Sequence, residues 1–160
     1  MTQRLLKLLG LACGIALLAN PAAPTYATNI NISATQCQVT FAPSDTIVRT
    51  DFGVMTLGNV SVAQMVACSL PRSSLPAGAT TGGFYVDGDN FNGATTSCAI
   101  FAFNTDGHLA QIQSFQTSDA HYDVFVSLLA DRLIQLGHTT LRCLLPPNGN
   151  GVLRGVTSLQ

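Results

Sequence analysis

From residue 29 onward, apolar and polar positions alternate in short runs, most of them closed by proline, glycine or asparagine. A period of two marks a strand with one face buried. Asn29-Ile30-Asn31-Ile32-Ser33 shows it first, and it resumes over 36–41 with Cys37, Val39 and Phe41 on one side. Pro43-Ser44-Asp45 predicts a turn, and short strands follow at 46–50 and 52–55. Residues 60–70 predict a longer strand with Val62, Val66, Cys68 and Leu70 on one face. Pro71 stops it, having no N–H to give to a ladder. A loop is expected over 72–83, then a strand at Phe84-Tyr85-Val86-Asp87 and a turn at Gly88-Asp89-Asn90.

Cys98 to Phe103 predicts a strand with Cys98 and Ile100 on one face and Phe101 and Phe103 on the other. Asn104-Thr105-Asp106-Gly107 predicts a hairpin turn into 109–115. Over 122–136 two periods compete. Tyr122, Val124, Val126 and Leu128 alternate, whereas Phe125, Leu129 and Leu133 fit helical spacing. The β-formers favour a strand to about Leu128 and a turn at Ala130-Asp131-Arg132. Strands at 139–145, with Leu141, Cys143 and Leu145 inward, and at 151–159 complete the chain. Eight or nine such strands predict an all-β fold, a small antiparallel β-sandwich with Greek-key or jelly-roll winding.

The first residues follow another pattern. Arg4 and Lys7 precede an apolar run over 8–19, and small residues predict a cut after Ala27. This is the form of a secretory signal peptide over 1–27, leaving one domain over 28–160. The apolar run falls short of the roughly 20 residues that span a membrane. Cys13 lies inside it, and the run continues through Ile15-Ala16-Leu17-Leu18, as in a leader rather than a lipid anchor. The expected location is secreted or periplasmic, with no membrane insertion after processing.

Four cysteines remain beyond the leader: Cys37, Cys68, Cys98 and Cys143. An even number in an exported chain predicts two disulfides, with three pairings open. An internal echo favours one of them. Val66-Ala67-Cys68-Ser69-Leu70-Pro71-Arg72 resembles Leu141-Arg142-Cys143-Leu144-Leu145-Pro146-Pro147. Each is preceded by a strand that opens on another cysteine, which points to Cys37–Cys68 and Cys98–Cys143. The Cys-x-Leu-Pro repeats, with Val86-Asp87 and Ser97-Cys98 spaced between them, resemble a family of exported bacterial proteins with two disulfides. The resemblance implies a small disulfide-bonded β-sandwich and carries neither an activity nor site residues.

Charge narrows the partners. Beyond the leader five arginines stand against eight aspartates, a net of about −3, with no lysine or glutamate. Such a chain is poorly suited to nucleic acid or anionic membrane. No Gly-x-Ser-x-Gly elbow, phosphate loop or His-Glu-x-x-His is present. Asp87 and Asp89 are the nearest thing to a carboxylate pair, and turn chemistry accounts for them. Neither a catalytic residue, a metal ligand nor a cofactor is therefore expected. Phe101 and Phe103, outward if Cys98 and Ile100 face the core, are the candidate ligand-binding residues. The resulting expectation is a non-catalytic exported protein that binds a glycan or an envelope component. Two alternatives remain: a surface-fibre subunit that exchanges its N-terminal strand, and a small hydrolase using an Asp pair.

Overall fold

The alternating runs form strands, and the strands form two antiparallel sheets packed face to face. The computed structural model describes residues 29–40, 43–70, 80–131 and 137–159. The leader expected over 1–27 and most of the loop expected over 72–83 lie outside the described residues, as do Phe41, Pro71 and Arg132. In chain order the strands are β1 (Ile30–Ser33), β2 (Gln38–Val39), β3 (Ile47–Thr50), β4 (Gly53–Thr56), β5 (Gln64–Leu70) and β6 (Thr81–Asn90). Then come β7 (Thr96–Phe103), β8 (Leu109–Thr117), β9 (His121–Leu129), β10 (His138–Leu145) and β11 (Gly151–Leu159).

Sheet A runs β3-β4-β11-β6-β9, and β1 continues the β11 edge beyond β4. Sheet B runs β2-β5-β10-β7-β8. From β4 onward the chain changes sheet at every step except the β7–β8 hairpin. Strands β4-β11-β6-β9 thus face β5-β10-β7-β8, the winding of a jelly roll. The hairpin forms where expected. Asn104 Oδ1 accepts from the N–H groups of Asp106 and His108, and Gly107 takes the left-handed conformation at φ 78°. Strand β9 ends at Leu129, so the alternating period wins over the helical one.

The three central strands of sheet B alternate without exception. Val66, Cys68 and Leu70 on β5, Cys98, Ile100 and Ala102 on β7, and Leu141, Cys143 and Leu145 on β10 are buried. Val54, Phe84, Val86, Val126, Leu128, Leu153 and Val156 meet them from sheet A. Each valine, leucine, isoleucine or phenylalanine among them contributes about 1.5–3 kcal/mol by leaving water, before entropy is counted.

Both disulfides lie in sheet B, and both join neighbouring strands. Cys98 and Cys143 are directly opposed across β7 and β10, with Cα atoms 4.1 Å apart. Cys37, just before β2, joins Cys68 on β5 with Cα atoms 4.3 Å apart. This is the pairing the echo pointed to. The two echoed strands themselves pair, Cys68 opposite Leu141 and Val66 opposite Cys143. The repeat is therefore a strand pair at the centre of one sheet, each member stapled to its outer neighbour.

Four expectations are corrected. Among the described residues the strands number eleven rather than eight or nine, because the short runs expected at 46–50 and 52–55, and the remnant Gln38–Val39, each stand as separate strands. Residues 34–36 form a 3-10 turn, which cuts the strand expected over 36–41 down to Gln38–Val39. Val62 is 65% exposed, since β5 begins only at Gln64. Most consequentially, Gly88-Asp89-Asn90 is no turn but the end of the ten-residue strand β6.

Candidate functional site: a groove on the outer face of sheet B

Strict alternation on β5, β7 and β10 sends every second side chain to the outer face of sheet B. On β7 these are Ser97, Ala99, Phe101 and Phe103, two small residues followed by two large ones. On β10 they are His138, Thr140, Arg142 and Leu144. Arg142 is flanked by alanine on both sides, opposite Ala67 on β5 and Ala99 on β7. Small residues beside large ones leave a step in the surface. The step is an open groove of about 590 Å³, lined by the small residues Ser97, Ala99 and Ser114 and by the larger Phe101, Phe115, Arg142 and Leu144. Gln116, Met65 and Cys98 also line it.

The aromatic residues form a ladder. The rings of Phe101 and Phe103 are stacked with centroids 6.3 Å apart, and Phe103 stacks on His138 at 4.5 Å. At the other end the Arg142 guanidinium lies over Phe101, 4.9 Å from its centroid. Both phenylalanines face outward, as expected, but their roles differ. Phe101 lines the groove, whereas Phe103 stands behind it and braces its ring. The Cys98–Cys143 bridge lies one register step from Arg142 and Ala99. It pins β10, which carries Arg142, to β7, which carries Phe101.

The outer face of sheet A is built differently. Asp87, Asp89 and Tyr85 project from β6 beside Asp123, His121 and Phe125 of β9. A bulge between Leu153 and Gly155 of β11 leaves Arg154 on this face, where its Nε donates to Asp89 Oδ2 at 2.5 Å. His121 Nδ1 meets the other Asp89 oxygen at 2.5 Å. Asp87 is opposed to Asp123, and its pKa is raised to about 6, first by burial, then by the hydrogen bond and charge of Asp123, with Arg154 pulling it back. The Phe125 ring lies over Gly83, at a position where any Cβ would strike it, and packs against Tyr85 at 5.0 Å.

This geometry bears on the Asp-pair alternative. A glycosidase keeps its two carboxyls about 5–5.5 Å apart or farther, with the sugar between them. Asp87 and Asp123 instead stand directly opposite each other on paired strands, and both oxygens of Asp89 are taken. Asp87 and Asp89 themselves are two positions apart on one strand rather than across a cleft. Among the described residues no three His, Cys, Asp or Glu side chains are placed to hold a metal ion. Asn90 faces inward, donating to the carbonyls of Thr117 and Asp119 and accepting from Thr96 Oγ1. The N-terminal segment pairs with its own chain, Ile30 opposite Ser158 through Ser33 opposite Gly155.

Sequence reasoning pointed to Phe101, which lines the groove, and did not point to Arg142, which lines it too. A single arginine in a strand gives no signal until its neighbours across the sheet are known.

No protein-family model matches the sequence, and no curated protein matches it. Among solved structures the chain is similar to the CBM36-1 domain of a multidomain xylanase from the hindgut metagenome of Trinervitermes trinervoides. That match has a TM-score of 0.53 and 11% identity, over 83% of this chain and 98% of that one. It is also similar to part of an exo-β-1,3-galactanase from Phanerochaete chrysosporium. There the TM-score is 0.50 and the identity 12%, over 82% of this chain and 29% of the galactanase, so the chain spans under a third of that enzyme. At these identities the similarity establishes the sandwich fold and nothing finer.

Proposed function

We propose that this chain is an exported, non-catalytic glycan-binding domain that holds a stretch of polysaccharide in the groove on sheet B. The observation that carries the reading is the groove itself. Its lining joins an aromatic wall, Phe101, to neutral hydroxyl and amide groups from Ser97, Ser114 and Gln116. A sugar has the matching character, with apolar C–H faces and a rim of hydroxyls. Sites for such ligands combine apolar surface with a few placed polar groups. The fold shared with a carbohydrate-binding module of a xylanase supports the reading. Export is supported by two bridges of a kind that is rare outside oxidising compartments.

A glycan array followed by affinity electrophoresis tests it. Wild-type protein is expected to be retained by at least one polysaccharide. Phe101→Ala should weaken retention about ten-fold, a loss of one aromatic contact. Phe103→Ala should weaken it less, because that ring acts through its neighbour. An array and a polysaccharide panel that both stay silent would remove the proposal.

A further inference from the structure

The structure describes three arginines, and two of them are satisfied. Arg49 donates to the carbonyls of Thr35 and Cys37, and Arg154 donates to Asp89. Arg142 is different. Its Nε is buried with no hydrogen-bond partner, and no ion pair or hydrogen bond among the described residues involves it. The five strands of sheet B contain no aspartate or glutamate, so the face supplies it no counter-ion. What holds it is the Phe101 ring beneath the guanidinium and the room left by Ala67 and Ala99. A guanidinium seated on an aromatic face, at the edge of a groove and without an acceptor, is arranged to take one from outside. Its planar fork matches a carboxylate bidentately.

From this we infer that Arg142 selects anionic glycans, specifically chains that carry isolated uronic-acid carboxylates on an otherwise neutral backbone. The inference rests on the glycan reading above and narrows it. One cation in a groove of neutral polar groups suits one carboxylate at a time. A densely sulfated polymer calls for a cluster of basic residues, and sheet B offers only His138 besides. Binding would place the carboxylate against Arg142 and the neighbouring sugar ring against the Phe101 side of the groove.

The test pairs neutral oligosaccharides with counterparts that differ only by a carboxylate: xylo-oligosaccharides with and without a glucuronic-acid branch, and galacto-oligosaccharides against oligogalacturonides. Titration calorimetry is run with the wild type and with Arg142→Gln and Arg142→Lys, the bridges of each variant being verified by non-reducing peptide mapping. The wild type should prefer a uronate-bearing member by about ten-fold, and high salt should erase that preference while leaving neutral binding in place. Arg142→Gln should bring the two members level, and Arg142→Lys should keep part of the difference, having the charge without the fork. If neutral and uronate-bearing partners bind the wild type equally, the inference falls and the glycan reading stands. If Arg142→Gln weakens both alike, Arg142 is part of the general surface and the selectivity claim falls. Binding of neither kind sinks both. A preference for heparin over every uronate overturns the choice of carboxylate.

Discussion

The two sheets cover one core and spend their polar groups in opposite ways. Sheet A carries no bridge. Its outer face commits its polar groups to one another: Asp89 is held between Arg154 and His121, Asp87 stands against Asp123, whose charge opposes its ionisation, and Thr157 donates to Asn31. Sheet B carries both bridges and has no acid in its strands. Its one arginine is not used by the fold. Where covalent bonds fix the strands, the outer face needs no internal polar network to hold register, and a hollow with an unsatisfied cation is tolerated. Where no bridge exists, the polar residues are committed to one another and little is left for a ligand.

That contrast can be broken or sharpened by four measurements, in descending order of effect. Replacing Cys98 and Cys143 together by alanine opens a loop of sequence separation 45 and should cost about 3–4 kcal/mol by the loop-entropy relation, seen as a lower urea midpoint. Arg154→Met removes one of the two partners of a carboxylate whose side chain is 4% exposed. It should cost about 1–3 kcal/mol, since Asp89 stays buried with His121 alone. A midpoint unchanged by Arg154→Met would abolish the distinction between the sheets.

The third measurement is pH. Asp87 has its pKa raised in the folded state from 3.8 to about 6, so the native protein holds a proton that the unfolded chain releases earlier. The resulting stabilisation is full below the unfolded value of 3.8 and is lost as pH rises through about 6. Melting temperature should therefore fall between pH 4 and pH 7 from this source. Asp123→Asn should flatten that slope and raise the neutral-pH melting point by about 1–3 °C, a small effect because the pair is partly solvated. The smallest effect is expected on sheet B. Arg142→Met should change stability by no more than about 0.5 kcal/mol, because a lost ring contact is offset by removing an unpartnered buried N–H. A large loss there would mean that the fold, and not a ligand, claims this arginine.

Much of the architecture was legible because its causes are local. The period of two, the proline stops and the Asn104–Gly107 turn need no distant partner, and the echo of Cys68 in Cys143 carried the bridge pairing with it. Phe101 was legible as outward once Cys98 and Ile100 were placed inward. Gly88-Asp89-Asn90 was misread because its composition is that of a turn, whereas partners remote in sequence make it a strand. Tyr122 occupies the space that a side chain at position 88 would fill, His121 and Arg154 take up Asp89, and Thr96, Thr117 and Asp119 satisfy Asn90.

The sequence by itself determined the class of fold, the bridges and the in-or-out direction of most strand residues, since alternation and cysteine spacing are properties of the chain alone. Only the tertiary structure decided which strands are neighbours. Strand order set Ala67 and Ala99 on either side of Arg142, kept every carboxylate of sheet A on the opposite face of the sandwich, and so left one cation without a partner at the edge of a groove. Charge acts through distance in space, and distances between strands far apart in sequence exist only once the sheets have formed.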